Sequence, residues 1–256
     1  MMDLRAIVVK ILPLGGDCWL ARINCPQISS AFLPGQFVMV KAWPGNDPLL
    51  RRPLGILKAE ADDIFLYFQV IGRGTALLAA LQPGREILLL GPLGRPFPRP
   101  TAGTTLLIAG GRGIVPLLAA ARAWAESLPL VFLYGARRSI DLHLAAELEA
   151  LPLSGLQFYS EDGGRGRAGL VSCGLEEVLA AQTPQTTFSC GPEAMLNALA
   201  GILSGQPGRH YFSLEALMGC GFGACYGCAA PVPGGYYARV CVDGPVFALE
   251  ELQWPI

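Results

Sequence analysis

Four of the eight cysteines crowd into MGCGFGACYGC at residues 218–228 and the nearby ARVCVDGP, and they constrain this chain more than any other feature. Their spacing, Cys220-x4-Cys225-x2-Cys228-x12-Cys241, begins with the plant-type ligand spacing of a [2Fe–2S] cluster, for which cysteine thiolates are the favoured iron ligands. Gly219, Gly221, Gly223, Ala224 and Gly227 stand beside and between them. Residues this small let the backbone wrap tightly and aim amide N–H groups at sulfur. Such a stretch is a cage, neither helix nor strand.

Other readings stay open at this point. Zinc sites usually present two Cys-x2-4-Cys knuckles, whereas here one such pair is joined to an x4 step and a lone fourth cysteine. Disulfides need an oxidising compartment, and the N-terminal residues show no charged segment leading into an apolar run and cleavage site, so a cytoplasmic protein is expected. Isolated buried thiols leave the intervening glycines unexplained. Cys18, Cys25 and Cys173 lack partner spacing and read as core or surface thiols, while His143 and His210 stand in no motif. No residue is assigned a catalytic role.

Ahead of the cage, residues 5–98 form short β-rich runs at 6–12, 18–23, 36–43, 54–59, 64–70 and 86–91. With turn signals at Pro34-Gly35, Gly45-Asn46 and Pro83-Gly84, they predict a small antiparallel barrel carrying one helix over residues 73–81. A βα rhythm follows, with strands at 104–108, 130–134, 157–160 and 187–189, and helices up to residue 126, over 142–151 and from Glu193. It predicts an α/β layer with a mostly parallel sheet. Residues 210–214 read as a last strand, 231–235 as a turn, and 236–242 with 247–249 as a small sheet that carries the fourth cysteine. The fold class is thus multi-domain β plus α/β, with expected domains at 1–100, 101–208 and 209–256.

Several loops carry candidate binding chemistry. Arg51-Arg52-Pro53-Leu54-Gly55 sets two guanidinium groups beside a stiff proline and a small residue, a shape suited to a diphosphate against a flat ring, or else a solvated loop. Gly72-Arg73-Gly74-Thr75 opens a helix and offers N–H groups to an anion, unless it is a plain cap. Gly110, Gly111 and Gly113 form a glycine turn between strand and helix, as in dinucleotide sites, although the strict GxGxxG pattern is absent. The turn joins Glu161-Asp162-Gly163 and Cys190-Gly191-Pro192 as places where strand ends meet loops. The last of these is either a tight turn with a buried thiol or a contact to a reactive ring. Arg137 and Arg138 face water or an adenosine ribose or phosphate.

The 52% hydrophobic content beside 15% charged residues, without an apolar run long enough to span a membrane, points to a protein partner or large buried cofactors. A net charge of −1 argues against nucleic acid.

With these pieces in order, the chain resembles the ferredoxin-reductase-like flavoproteins, and more narrowly the electron-transfer subunits of class 1B dihydroorotate dehydrogenases. The resemblance runs over nearly the whole chain. SLEALMGCGFGACYGC and YYARVCVDGPVF carry it most specifically, supported by RPLG at residues 52–55, GRGT at 72–75, LGPLGRPF at 90–97, AGGRGIVPLL and SCGP. It implies an FAD-binding barrel, an α/β domain facing NAD as exchangeable substrate, and a C-terminal [2Fe–2S] domain. Arg52, Pro53, Leu54 and Gly55 would line the flavin and its diphosphate. Tyr67, Phe68 and Gln69 would run along its ribityl and adenosine side, and Gly74 and Thr75 would hold the pyrophosphate. Cys220, Cys225, Cys228 and Cys241 would be the iron ligands, and Gly110, Gly111, Gly113, Cys190, Gly191 and Pro192 the nucleotide crevice.

The implied partner is a separate FMN-containing dihydroorotate dehydrogenase catalytic subunit, in a heterotetramer of two of each. The implied activity is electron transfer between that FMN and NAD+ through cluster and FAD, in pyrimidine (UMP) biosynthesis, with no dihydroorotate oxidation by this chain alone. Two positions depart from the family pattern: Gly55 stands where many relatives carry a hydroxyl residue, and Arg112 where they often carry a small apolar one. Rival readings are a similar subunit of a hydrogenase, sulfite reductase or transhydrogenase complex, and a non-catalytic zinc-binding adaptor.

Overall fold

The structure is a computed structural model that describes residues 3–181 and 183–256. Its first six strands are β1 (Leu4–Gly15), β2 (Cys18–Asn24), β3 (Phe37–Lys41), β4 (Arg52–Glu60), β5 (Asp63–Gln69) and β6 (Glu86–Leu93). They close into an antiparallel barrel in the order β1-β2-β5-β4-β3-β6. Alternating side chains bury Ala6, Val8, Ala21, Ile23, Val38, Val40, Leu66 and Phe68 inside it, so each strand contributes one apolar face. A single helical turn, α1 (Pro26–Ser29), opens with a proline between β2 and β3 and was not expected from sequence. The expected helix is α2 (Arg73–Ala79), whose Thr75 hydroxyl accepts the N–H groups of Ile71 and Gly72 at 3.1 and 3.3 Å.

The barrel is incomplete at one seam. The β4–β5 ladder stops at Ile56 opposite Leu66. Beyond it, residues 52–55 turn to β3 and residues 67–69 to β2, leaving a wedge between the two facing strand edges.

The second unit alternates strand and helix: β7 (Thr105–Gly110), α3 (Ile114–Trp124), β8 (Leu130–Ala136), α4 (Ala145–Glu149), β9 (Gly155–Ser160), β10 (Arg167–Ala168), α5 (Val171–Ala181), β11 (Thr186–Cys190), α6 (Glu193–Leu203) and β12 (Arg209–Ser213). The strands from β7 to β12 run parallel in the order β10-β9-β8-β7-β11-β12, so the chain starts at β7 and reverses its direction of growth between β7 and β11. The expected barrel and parallel layer are therefore both present. Helix α5 was missed in the sequence, because Cys173-Gly174 near its start weakens the helical signal. Its burial of Val171, Leu175 and Val178 follows helical spacing, and Gly174 is needed there, since a Cβ would lie 2.2 Å from the Tyr159 hydroxyl.

The last segment corrects one expectation. A two-stranded sheet does follow the cage, made of β13 (Ala229–Val232) and β14 (Tyr236–Arg239), so Pro231 and Val232 belong to a strand and not to the turn. Residues 247–249 do not join it. Strand β15 (Val246–Ala248) instead pairs antiparallel with β12, burying Val246 and Phe247 and covering what would otherwise be a bare sheet edge. This strand anchors the cage to the α/β unit. Among the described residues no helix is long and apolar enough to cross a membrane.

Candidate functional site

The cage brings its four thiols together as two pairs. Cys220 contacts Cys225, and Cys241 contacts Cys228, with the Cys241 N–H also donating to the Cys228 sulfur at 3.5 Å. Burial pushes the Cys220 thiol up, but the backbone N–H groups of Phe222, Cys225 and Ala224, together with the Cys225 thiol, outweigh it and bring it down to about 6. Cys241 goes the other way, pushed up to about 12 by burial and by the neighbouring Cys228. The two shifts differ because Cys220 sits among donors near the surface while Cys241 is buried. The Gly227 N–H points at the Cys225 sulfur at 3.5 Å. Backbone donors aimed at sulfur favour thiolate, the form that binds iron.

Two glycines make this wrapping possible. Gly221, at φ +81°, rests on the barrel, where a Cβ would lie 2.4 Å from Met39, and Gly223, at φ +84°, lies against Val242 and Arg239. Arg239 donates to the Gly223 carbonyl at 3.3 Å and is itself held by Asp243 at 3.1 Å. Among the described residues no three His, Cys, Asp or Glu side chains converge on a single ion. Two adjacent thiol pairs suit a two-iron centre, each iron taking two thiolates, better than one tetrahedral zinc.

The barrel wedge fits a flavin nucleotide. Arg52 leans over the Trp43 ring at 5.4 Å and donates to the Leu50 carbonyl. Gly74 is what admits it: a Cβ there would lie 2.6 Å from the Arg52 Nε. The Thr75 hydroxyl is committed to the turn before α2, so the anion donors available there are backbone N–H groups and the Arg52 guanidinium. Pro53, Leu54 and Gly55 continue along one lip of the wedge, with Gly55 facing Val115 of α3. On the other lip, the backbone of Tyr67, Phe68 and Gln69 has no β4 partner. The Tyr67 side chain turns away to the Cys18 thiol, in the core shared with the α/β unit, and Phe68 fills the barrel interior. Of these three side chains, Gln69 alone hydrogen-bonds to the glycine turn before α3, accepting from Arg112 at 2.5 Å.

The third set meets at the reversal between β7 and β11, the place where open parallel sheets bind ligands. Gly113 packs so closely on β11 that a Cβ would lie 2.1 Å from the Cys190 carbonyl oxygen, and Gly110 meets Pro192 and Met195. Gly111, at φ +52°, turns the chain between them, and Gly191 lies 3.1 Å from Gly110 by the same measure. Helix α3 continues directly from the single turn at residues 111–113, whose Gly111 and Arg112 carbonyls take the Ile114 N–H, so the positive end of its dipole lies at this glycine turn. The Cys190 thiol is buried at 2% exposure beside Ser213, and burial drives its ionisation well above the usual thiol range. The Asp162 carboxylate is occupied by the N–H groups of Ser139 and Gly164, and Arg138 is held twice by Asp141. Replacing Gly113 with alanine is expected to force β7 from β11 and destabilise the protein by about 1–3 kcal/mol, read as a lower melting temperature.

Comparison with known proteins agrees with this geometry. Residues 215–253 match the iron-sulfur cluster binding domain of dihydroorotate dehydrogenase B, and residues 107–200 match the oxidoreductase NAD-binding domain. The electron transfer subunit of dihydroorotate dehydrogenase B (NAD(+)) from Geobacillus thermodenitrificans is 39% identical over 228 residues, covering 86% of each chain. The chain belongs to this electron transfer subunit family. An Aquifex aeolicus homolog of the same subunit is 32% identical and covers 98% of this chain and 99% of its own. The structure of an NADH-dependent reduced ferredoxin-NADP oxidoreductase superposes with a TM-score of 0.86 at 27% identity, over 97% of this chain and 89% of that one. A ferredoxin NADP+ reductase from Neisseria gonorrhoeae, with FAD and NADP bound, shares the fold at a TM-score of 0.63 and 19% identity, over 80% and 91% of the two chains.

Within this electron transfer subunit family reading, sequence reasoning missed Trp43, Arg239 and Asp243. Each acts through a contact made in three dimensions: Trp43 lies in no motif, and Arg239 and Asp243 lie within YYARVCVDGPVF, where spacing singles out Cys241 alone.

Proposed function

We propose that this chain is the electron-transfer subunit of a dihydroorotate dehydrogenase B, linking a catalytic partner subunit to NAD+ in pyrimidine biosynthesis. The single observation that carries the reading is the pairing of four thiols in a cage seated on a barrel with an open flavin-sized wedge. When bound, FAD supplies exchange between paired and single electrons, and a [2Fe–2S] cluster passes electrons singly. Cys220, Cys225, Cys228 and Cys241 would hold the irons, the first two and the last two as neighbouring pairs. Arg52, Gly74 and the N–H groups at the start of α2 hold the flavin diphosphate, and the lips at residues 52–55 and 67–69 bracket the ring and its linker. The turn at Gly110, Gly111 and Gly113, with Cys190, Gly191 and Pro192, receives the nicotinamide dinucleotide. The expected domains 1–100, 101–208 and 209–256 stand for the barrel, nucleotide and cage units of this reading, although β12 and β15 of the last range belong to the sheet of the nucleotide unit.

The partner contact lies at the cage. Cys225 is exposed, and Leu49, Leu50, Leu217, Phe222 and Tyr226 stand out around it, with Leu217 at 90% exposure. A cleft of about 450 Å³ between barrel and cage is lined by Leu49, Leu50, Arg51, Cys220 and Phe222 among others. An apolar rim around an exposed redox centre suits a protein that must come close for single-electron transfer. The occupant in this reading is an FMN-containing catalytic subunit, two copies with two of this chain, in the cytoplasm. Leu217→Glu is expected to abolish co-purification with that subunit while leaving iron, flavin and melting temperature unchanged.

The test of the whole reading is co-expression with the catalytic subunit and analysis of the purified complex. Iron, acid-labile sulfide and FAD near two, two and one per chain of this protein are expected, with dihydroorotate-driven reduction of NAD+. A flavin-free or iron-free protein overturns it. The structural likeness to a ferredoxin-NADP oxidoreductase favours one alternative, the same cofactors serving a different complex. In that case flavin and cluster load normally, but no dihydroorotate oxidase co-purifies.

A further inference from the structure

Arg112 stands in the middle of the turn between β7 and α3, yet its side chain serves neither element. It crosses the crevice, donating to the Gln69 amide oxygen on the barrel lip at 2.5 Å, with the Glu215 carboxylate 3.9 Å away on the segment that enters the cage. One guanidinium thus ties the barrel, the α/β unit and the cage together above the reversal point of the sheet.

This tie is weak by design of its partners. Gln69 is neutral, and Glu215 lies beyond hydrogen-bond range with both side chains about half-exposed, so neither neutralises the cation firmly. Other arginines on this unit are more firmly committed: Arg138 to both oxygens of Asp141, Arg122 to Glu147, and Arg165 to Glu149. Arg137 is exposed but belongs to the end of β8, one strand away from the reversal. Helix α3 begins two residues after Arg112, and its Ile114 N–H is already bonded to the Gly111 and Arg112 carbonyls, so the Arg112 guanidinium is the side-chain donor this turn holds ready. A cation on a flexible stem at a strand-to-helix turn has the chemistry to grip a diphosphate with paired donors.

We infer that Arg112 is a binding residue for the nicotinamide dinucleotide: its guanidinium leaves Gln69 and Glu215 and pairs with the dinucleotide's diphosphate when that ligand enters the crevice. The inference rests on the proposed dinucleotide role of the turn at Gly110, Gly111 and Gly113. Exchange of a half-exposed, loosely paired cation onto a doubly charged group is favourable, since an ion pair with room for two parallel hydrogen bonds replaces a single bond to a neutral amide. The same move unties the barrel lip from the cage entry, so ligand arrival loosens the contact between the three units.

The test measures ADP-ribose, which carries the diphosphate without the nicotinamide ring, by calorimetric titration into the flavin- and cluster-loaded complex. Arg112→Ala is expected to weaken ADP-ribose by about tenfold or more, the scale of one charge-assisted hydrogen bond, with an unchanged melting temperature. Arg112→Lys is expected to keep most of the affinity, and added salt to weaken wild type more than Arg112→Ala. In steady state the alanine variant is expected to raise the KM for NADH and leave kcat nearly intact. Equal ADP-ribose affinity in wild type and Arg112→Ala overturns the inference alone. Equal losses in the alanine and lysine variants also overturn it, because charge would then not be what binds. A wild-type complex that binds no ADP-ribose overturns the dinucleotide reading of the crevice, and this inference with it.

Discussion

Cys225→Ser is expected to strip iron and sulfide from the protein and to cut electron passage to the catalytic subunit by more than about 100-fold, beyond the loss seen when only an outer partner of a metal ligand is removed. Cys225 sits on the outer loop of the cage, exposed, and its sulfur is surrounded by Gly219, Gly227 and Cys220. Nothing in the barrel or the sheet depends on it. Serine keeps the volume and the hydrogen bond from the Gly227 N–H, so the fold survives while a soft thiolate ligand becomes a poor hydroxyl one. NADH-driven bleaching of the bound flavin should therefore continue at close to the wild-type rate. Iron and sulfide assays, the visible spectrum and anaerobic rapid mixing read the two halves separately. If iron content and partner reduction both persist, Cys225 is not a ligand.

Arg52→Ala is expected to have the second largest effect, loss of bound flavin on dialysis with the cluster retained. The guanidinium is the one cation that Gly74 admits to the wedge, and a charge-assisted hydrogen bond contributes about 1.5–3 kcal/mol, or roughly 10- to 150-fold in affinity. Gly74→Val provides the matching geometric test, because it keeps the charge but puts a Cβ 2.6 Å from the Arg52 Nε and drives the side chain off Trp43. Both variants should lose flavin, and both should melt near the wild-type temperature of the flavin-free protein. Flavin content equal to wild type after dialysis would remove Arg52 from the diphosphate site.

Gly55 and Arg112 give the two family departures opposite weights. At Gly55 the space a hydroxyl would occupy is partly filled by Val115, since a Cβ would lie 3.2 Å from its side chain, so helix α3 closes over this lip of the wedge. At Arg112 the larger side chain has somewhere to go, across the crevice to Gln69. A small residue lost and a large one gained thus fall on either side of the same contact between barrel and α/β unit.

What the sequence determined by itself was the chemistry that local spacing encodes. The cage was legible because its ligands lie within 22 residues and need only short, glycine-rich backbone between them, from Cys220 to Cys241. The barrel and parallel sheet were legible because alternation and βα rhythm are properties of neighbouring residues. Only the tertiary structure decided the rest. It opened the barrel between residues 52–55 and 67–69, a seam set by which strands pair and not by what either strand contains. It sent residues 246–248 to the edge of the large sheet, because a bare β12 edge and two apolar side chains needed each other across more than 30 residues of chain. It also joined Arg112 to Gln69 and Glu215, three residues from three units that no periodicity relates. Local spacing fixes which atoms are available, and long-range packing fixes which of them meet.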